Sequence, residues 1–476
     1  MAGRIAARQW LVIAAVSLGA VLTGQPRARA QDVTNADTPA VRPAIMFNRW
    51  QENWSVLADP ALRTEPLDSL KYIPLFDGDP DSYMSLGANL RERFEYLGAP
   101  SFGVGQAAYP GYLIQRLEVH ADIRPSEAWQ VFVQVQDDRA FWKASLSPVD
   151  QDRADLEQGF VAYKRDLLGG ELTVRIGRQE LGFDLQRFVA VRDGPNVRQA
   201  FDAIWGNWTL APWRITSFWS HPVQYADDRA FDDYSGRNFQ YGGFRVERQA
   251  VGPGSLAFYY SRYQLDDAHF LAASGREERD IFDVRYAGKA SGFDWDAEAM
   301  EQTGTLGPKR VLAWAAGAVT GYTLPVAWSP RFGLQMDAAS GTRNLQSGTV
   351  GTLNPLFVNG YYFTLAGFTG YTNLIHVKPS LTVRPSADTT ILAALGFQWR
   401  ETTGDAVYTQ PDIPVNGTAG KGGSWTGAYG QVRIEHAFNR HLSGALEAVR
   451  FNVGGAIRHA GGSDSDYLGV ELKFGW

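Results

Sequence analysis

The last nine residues constrain the fold of this chain more than any other stretch. Leu468, Val470, Leu472, Phe474 and the terminal Trp476 alternate strictly with Gly469, Glu471, Lys473 and Gly475. Successive side chains of a β-strand point to opposite faces, so this run has one apolar face and one wet face. Residues 467–476 are therefore read as a closing strand.

The same two-sided pattern recurs along the chain, its phase reset after each loop. Met84, Leu86, Ala88, Leu90, Phe94 and Tyr96 share one parity, broken by Glu92, and Ser85, Asn89, Arg91, Arg93 and Glu95 share the other. Leu113, Leu117, Val119, Ala121 and Ile123 oppose Arg116, Glu118, His120, Asp122 and Arg124, while Leu172, Val174 and Ile176 oppose Glu171, Thr173 and Arg175. A water-soluble sandwich could alternate in this way, but both ends of the chain would then be coincidences. In hydrocarbon every backbone polar group must be paired, which strands achieve only in a closed sheet. No run of about 20 apolar residues, the length a spanning helix needs, follows the N-terminal stretch. The chain reads as all-β, a transmembrane antiparallel β-barrel. Its terminal aromatic strand resembles the insertion signal of bacterial outer-membrane barrels. That resemblance implies the outer membrane of a Gram-negative bacterium, contact with its lipid and insertion by the barrel assembly machinery.

The N-terminal end agrees. Arg4 and Arg8, the short apolar stretch from Leu11 to Leu22 and Ala28-Arg29-Ala30 have the form of a signal peptide, residues 1–30, cleaved after Ala30. Residues 31–80 carry Pro39, Pro43, Pro60, Pro66, Pro74 and Pro80, with Trp50 and Trp54 among polar residues and no sustained alternation. They are read as a periplasmic or lumen-entering extension, and residues 81–476 as the barrel. Allowing roughly 22 residues for each strand with its share of turns and loops gives about 16 to 18 strands. A barrel of that size leaves an aqueous lumen. Segments 137–155, 224–238, 264–279, 339–360 and 401–424 are the candidate long loops.

An aromatic content of 13%, 50 glycines and no cysteine suit half-polar strands assembled without a disulfide framework. Leader cleavage removes four arginines and no acid, leaving 41 basic against 51 acidic residues, a net charge of −10. Net acidity discourages anionic partners, nucleic acid included, so any case for an anionic cargo rests on where the arginines point.

Several segments resemble the alginate export family of outer-membrane proteins. They are Lys71-Tyr72-Ile73-Pro74-Leu75 followed by Tyr83 to Glu95, and Gly177-Arg178-Gln179-Glu180-Leu181-Gly182-Phe183 leading through Arg187 and Arg198 to Phe201-Asp202-Ala203. A third stretch comprises Ala339-Ser340-Gly341, Asn354-Pro355-Leu356-Phe357 and Tyr361-Tyr362-Phe363; Asn373 to Pro385 and the closing strand complete the match. One departure is Thr342, where the family usually has an acidic residue after the Ser-Gly pair. The resemblance implies an 18-stranded monomeric barrel with an arginine-rich constriction that passes a polyuronate, and it places Arg178, Arg187 and Arg198 in the lumen.

A pore for a polyanion needs fixed positive charge where carboxylates leave bulk water, and arginine pairs carboxylates bidentately without deprotonating. Parity turns Arg91, Arg93, Arg116 and Arg175 inward, and Arg178, Arg187, Arg192 and Arg198 crowd the segment that follows. Asp184, Asp193 and Asp202 are interspersed acids that would loosen the grip on cargo. The plainer reading is that inward arginines form charge ladders with acids such as Glu95, Glu118, Glu171 and Glu435. Replacing Arg187 and Arg198 by Glu is expected to reduce or reverse anion preference without blocking assembly.

Most tryptophans fit an interfacial girdle. His120 and His376 face inward by parity. No nucleophile elbow, His-x-x-x-His or paired acidic ligand motif appears, so no catalytic residue, metal or cofactor is expected. The reading is an outer-membrane channel, not an enzyme, for alginate-like polyuronate or anionic sugars. The alternative is a general or anion-selective diffusion porin for small solutes, and the remote alternative is a barrel-rim hydrolase. Export would require a periplasmic partner delivering polymer, whereas uptake requires only a gradient.

Overall fold

The computed structural model describes residues 42–105 and 111–476. The expected signal peptide and the first part of the expected extension lie outside the described residues. Eighteen long strands make up the wall. They are β1 (Tyr83–Leu97), β2 (Tyr112–Ser126), β3 (Trp129–Phe141), β4 (Asp152–Leu167), β5 (Gly170–Glu180) and β6 (Ala200–Leu210). Next come β7 (Trp213–Pro222), β8 (Phe239–Val251), β9 (Gly254–His269), β10 (Ser274–Ala290), β11 (Phe293–Leu306) and β12 (Lys309–Thr323). The last six are β13 (Arg331–Ala339), β14 (Leu374–Ser386), β15 (Thr389–Trp399), β16 (Trp425–Ala437), β17 (Leu442–Val453) and β18 (Ser465–Gly475).

Each strand pairs antiparallel with the next, and β18 closes on β1 in a register running from Asn89 opposite Gly475 to Leu97 opposite Tyr467. Closure removes the free edges that lipid could not solvate. Trp476 completes the seam, exchanging backbone hydrogen bonds of 2.9 Å with Ala88 in both directions.

Turns at one end are short. Those at 168–169 and 291–292 have positive φ at both positions (Leu168 and Gly169, Ser291 and Gly292), the two-residue geometry that matches the twist of the flanking strands. By the usual orientation of outer-membrane barrels this is the periplasmic end. Loops 142–151, 181–199, 223–238, 340–373, 400–424 and 454–464 lie at the other. The expected loop 264–279 is instead mostly wall: Gln264 pairs Glu278 and Leu265 pairs Glu277, and only residues 270–273 turn. Its polarity marks strands continuing beyond the hydrocarbon, held by Arg262 to Glu278 (2.8 Å) and to Asp280 (3.1 Å).

Outward positions follow the apolar parity. Leu117, Val119, Ile176, Ile204, Phe282, Val284, Leu312, Leu446, Leu468 and Leu472 are all exposed on the protein surface, as a lipid-facing belt requires. The inward face departs from the simple polar expectation. Phe201, Phe218, Tyr241, Tyr263, Ile281, Met300 and Ala313 of β6–β12 form a buried apolar cluster with Phe188, Val189, Leu353, Phe357 and Phe363 from two loops. An apolar lining is stable there because loops, not water, cover it.

Residues 42–82 fold as three short 3-10 turns and the one-turn helix α1 (Asp68–Lys71) against the inside of the wall. Arg49 donates to Asn89 of β1 (2.5 Å) and to the Trp476 carbonyl (2.8 Å), and Arg124 of β2 donates to the carbonyls of Trp50 (3.0 Å) and Glu52 (2.9 Å). Trp50 meets Phe160 of β4 edge-on at 6.0 Å.

Candidate functional site

Loop 181–199 does not stay at the rim. It leaves β5, and from Asp184 to Arg198 its side chains reach opposite walls of the barrel. Asp184 pairs with Arg245 of β8 (3.0 Å) and Arg285 of β10 (2.8 Å), while Asp193 pairs with Arg116 of β2 (2.7 Å) and Lys473 of β18 (3.2 Å). Asp184, Gln186 and Arg192 adopt positive φ, folding the loop into a compact crossing. Loop 340–373 lies beside it. Val189 and Phe357 form a parallel bridge, the Ala190 amide donates to the Phe357 carbonyl (2.9 Å), and the Tyr361 hydroxyl donates to the Gly194 carbonyl (2.9 Å).

The eight arginines singled out from sequence gather around these two loops, and most are engaged by the protein itself. Arg91 donates to the carbonyls of Asp193 (2.5 Å) and Pro195 (3.0 Å) and to Asn196 (3.1 Å). Arg93 is buried among Glu95 (2.7 Å), Glu447 (2.5 Å) and Glu471 (3.0 Å), with the Tyr361 ring 4.9 Å away. Arg116 binds Asp193 and the Pro195 and Asn196 carbonyls (2.6 and 2.8 Å). Arg178 holds Asp202 (2.9 Å), whose carboxylate also accepts from Ser235 (2.7 Å). Arg187 is wholly buried between Glu298, Asp296 (3.5 Å), Asp337 (4.0 Å) and the Tyr362 hydroxyl (2.6 Å). Arg198 pairs with Glu118 and Glu180, each at 2.7 Å.

Two differ. Arg175 makes no ion pair among the described residues; its guanidinium lies between the rings of Trp50 (4.4 Å) and Trp205 (4.2 Å), and its Nε and Nη1 have no hydrogen-bond partner. Trp205 therefore leaves the expected girdle for the lumen. Arg192, half-buried in the crossing loop, makes neither hydrogen bond nor ion pair among the described residues; burial lowers its pKa, and the hydroxyls of Tyr225 and Tyr263 offset this only in part.

Asp193 is the hub of the crossing. Burial alone would raise its pKa, but Lys473, Arg116, Arg91 and Arg198 hold the carboxyl well below the usual carboxylate range. Sequence reasoning passed over Lys473, although strict alternation in the closing strand already turned it inward, and over Tyr361, Tyr362 and Phe47, which only a folded-back loop or segment could bring to the lumen. His376 meets Asp337 (3.3 Å) and the Tyr429 hydroxyl (2.9 Å), but both His376 and Asp337 are sealed beneath Phe363 and Tyr371, away from any mouth. Thr342 is itself held by an acid of another loop: buried Asp405 accepts from the Thr342 amide (2.8 Å) and the Thr352 hydroxyl (2.5 Å).

Comparison with known proteins bears on this geometry. The family described as Alginate export matches residues 82–471. No curated protein matches by sequence. Among solved structures, the barrel is similar to OccK2 (OpdF) of Pseudomonas aeruginosa in complex with glucuronate, with a TM-score of 0.54 and 11% identity over 83% of this chain and 97% of that one. It is also similar to the outer membrane protein OpdK of P. aeruginosa (TM-score 0.56, 11% identity, 82% and 98% covered). OccD3 (OpdP) of the same organism gives a TM-score of 0.56 at 8% identity, with 86% and 93% covered. Identities this low speak to the fold alone. A family match over nearly the whole of a closed 18-stranded barrel settles the kinship: this chain belongs to the Alginate export family, barrel proteins of the Gram-negative outer membrane whose fold is that of channels.

Proposed function

We propose that the barrel is a selective channel for anionic sugars, uronate polymers included, and that loops 181–199 and 340–373 form its selectivity region. The observation that carries this is the contrast between Arg192 and its neighbours. The other loop arginines are neutralised by Glu118, Glu180, Asp296 and Glu298, so they build the crossing. Arg192 retains an uncompensated charge, and half-exposed Lys473 shares its partners with solvent. A sugar carboxylate entering the bore would meet these two cations beside Tyr361, whose hydroxyl donates to the Gly194 carbonyl of the loop that carries Arg192. Few and shallow contacts suit a conduit, because cargo must leave as easily as it enters.

Two loops joined across the lumen favour this reading over a general diffusion porin, whose bore would be open. The segment 42–82, bonded to β1–β5 near the short-turn end, is in the same reading a plug of the periplasmic mouth. Flux into liposomes tests the function: proteoliposomes should take up oligouronates faster than neutral oligosaccharides of equal length. Equal rates would return the protein to the general-porin reading.

A further inference from the structure

Apart from the arginine crossing, three carboxylates from two segments converge at the outer end of the wall. Asp152 and Asp155 of β4 and Asp233 of loop 223–238 each offer an oxygen within 4.8 Å of the others. Asp155 accepts from the amides of Leu156 (2.6 Å) and Asp233 (3.0 Å), and Asp233 accepts from the Ala226 amide (2.9 Å). Asp152 is different. It is 6% exposed, yet among the described residues it accepts no hydrogen bond and forms no ion pair, and its Oδ1 is sealed from solvent. Directly opposite it in the β3–β4 register stands Asp138, completely buried, whose Oδ1 also accepts no hydrogen bond. Side chains opposite one another across a strand pair share a face at contact distance, so this second orphaned oxygen lies beside the cluster.

An unpaired buried carboxylate is costly, and several together more so. The nearby cations are committed: Arg178 stands 3.7 Å from Asp155 but holds Asp202 at 2.9 Å, and Arg116 stands 3.7 Å from Asp138 but holds Asp193 at 2.7 Å. We propose that Asp152, Asp155 and Asp233 bind one calcium-type divalent cation, which fastens loop 223–238 to the outer end of β4. Calcium accepts six to eight oxygens at about 2.3–2.6 Å with loose geometry, so oxygens up to about 5 Å apart can share one ion and water can complete the shell; magnesium demands a tighter octahedron. The clasp would also reach the lumen, since loop 223–238 carries Ser235, which shares Asp202 with Arg178.

Calorimetric titration of the refolded mature chain in detergent, stripped with EDTA, tests this with calcium chloride and then magnesium chloride. One calcium per chain is expected, with magnesium at least tenfold weaker, and thermal unfolding should shift upward on calcium addition. Asp152→Asn should abolish the binding and, in EDTA, unfold at a higher temperature than wild type, because it removes an unpaired charge. Asp227→Asn, altering a half-exposed acid of the same loop that pairs with Arg153, should bind calcium as wild type does. If Asp152→Asn fails to refold, Asp233→Asn takes its place. Absence of calcium binding in wild type, or equal affinity in the Asp152 or Asp233 variant, overturns the proposal.

Discussion

The guanidinium carbon of Arg198 lies 4.2 Å from the centre of the Phe47 ring. Glu118 and Glu180 fix that guanidinium from the wall side, so the contact ties the N-terminal segment to the base of the crossing loop. Displacing residues 42–82 would therefore remove a contact from the base of that loop.

Deleting residues 31–80 should raise single-channel conductance several-fold while leaving a heat-modifiable folded barrel, because the sheet closes through β1 and β18 without them. Phe47→Ala should give a smaller rise in the same direction. Conductance unchanged in both variants would show that the segment does not obstruct the path.

Arg192→Glu should lower anion preference, read as the reversal potential in a salt gradient, with little change in thermal stability. Arg187→Glu and Arg198→Glu, which the sequence alone suggests as selectivity variants, should behave differently. Each would set another carboxylate among buried acids, and removing one partner of a buried pair costs about 3–5 kcal/mol. The expected outcome is loss of refolding yield. Stable Arg187 and Arg198 variants with altered selectivity would reverse these roles.

Phe357 packs on Phe201 (4.8 Å), Tyr241 (5.2 Å) and Phe239 (5.9 Å). Its replacement by Ala should cost about 3–5 kcal/mol, borne by the loop rather than by the wall. Proteolysis within 340–373 should become faster while strand content by circular dichroism stays constant. Unaltered protease resistance would argue that the loop is held by other contacts.

Burial and the nearby Asp405 push the Asp412 carboxyl, in loop 400–424, up to about 7. Its Oδ1 is sealed and accepts no hydrogen bond. A raised carboxyl pKa contributes stability that is complete below the unfolded value of about 3.9 and is lost as pH rises through about 7. Hydrogen exchange in this loop, corrected for intrinsic rates, should therefore be slower at pH 5.5 than at pH 8, and Asp412→Asn should remove the difference. A loop protected more strongly at pH 8 would contradict the assignment.

The wall was legible because lipid imposes period two on every strand, and Leu468 to Trp476 or Leu172 to Ile176 announce it locally. The hairpin at 264–279 was missed because Arg262, Glu278 and Asp280 make polar cross-strand pairs above the hydrocarbon, where polarity no longer separates strand from loop. The lumen was least legible. Whether Arg187 is free or neutralised depends on Asp296, Glu298 and Asp337, more than a hundred residues away, and parity reports which face a side chain takes but not which loop covers it. Likewise Phe201 and Ile281 read as wall residues until loop 340–373 folds over them.

The most direct test of the channel assignment is the single-channel current of the refolded mature barrel in a planar bilayer, recorded under a salt gradient and then with oligouronates or neutral oligosaccharides added. An anion-selective current, blocked by oligouronates and not by neutral sugars, with the block weakened in Arg192→Glu, is the expected result. A large, weakly selective current indifferent to both sugars would contradict the assignment.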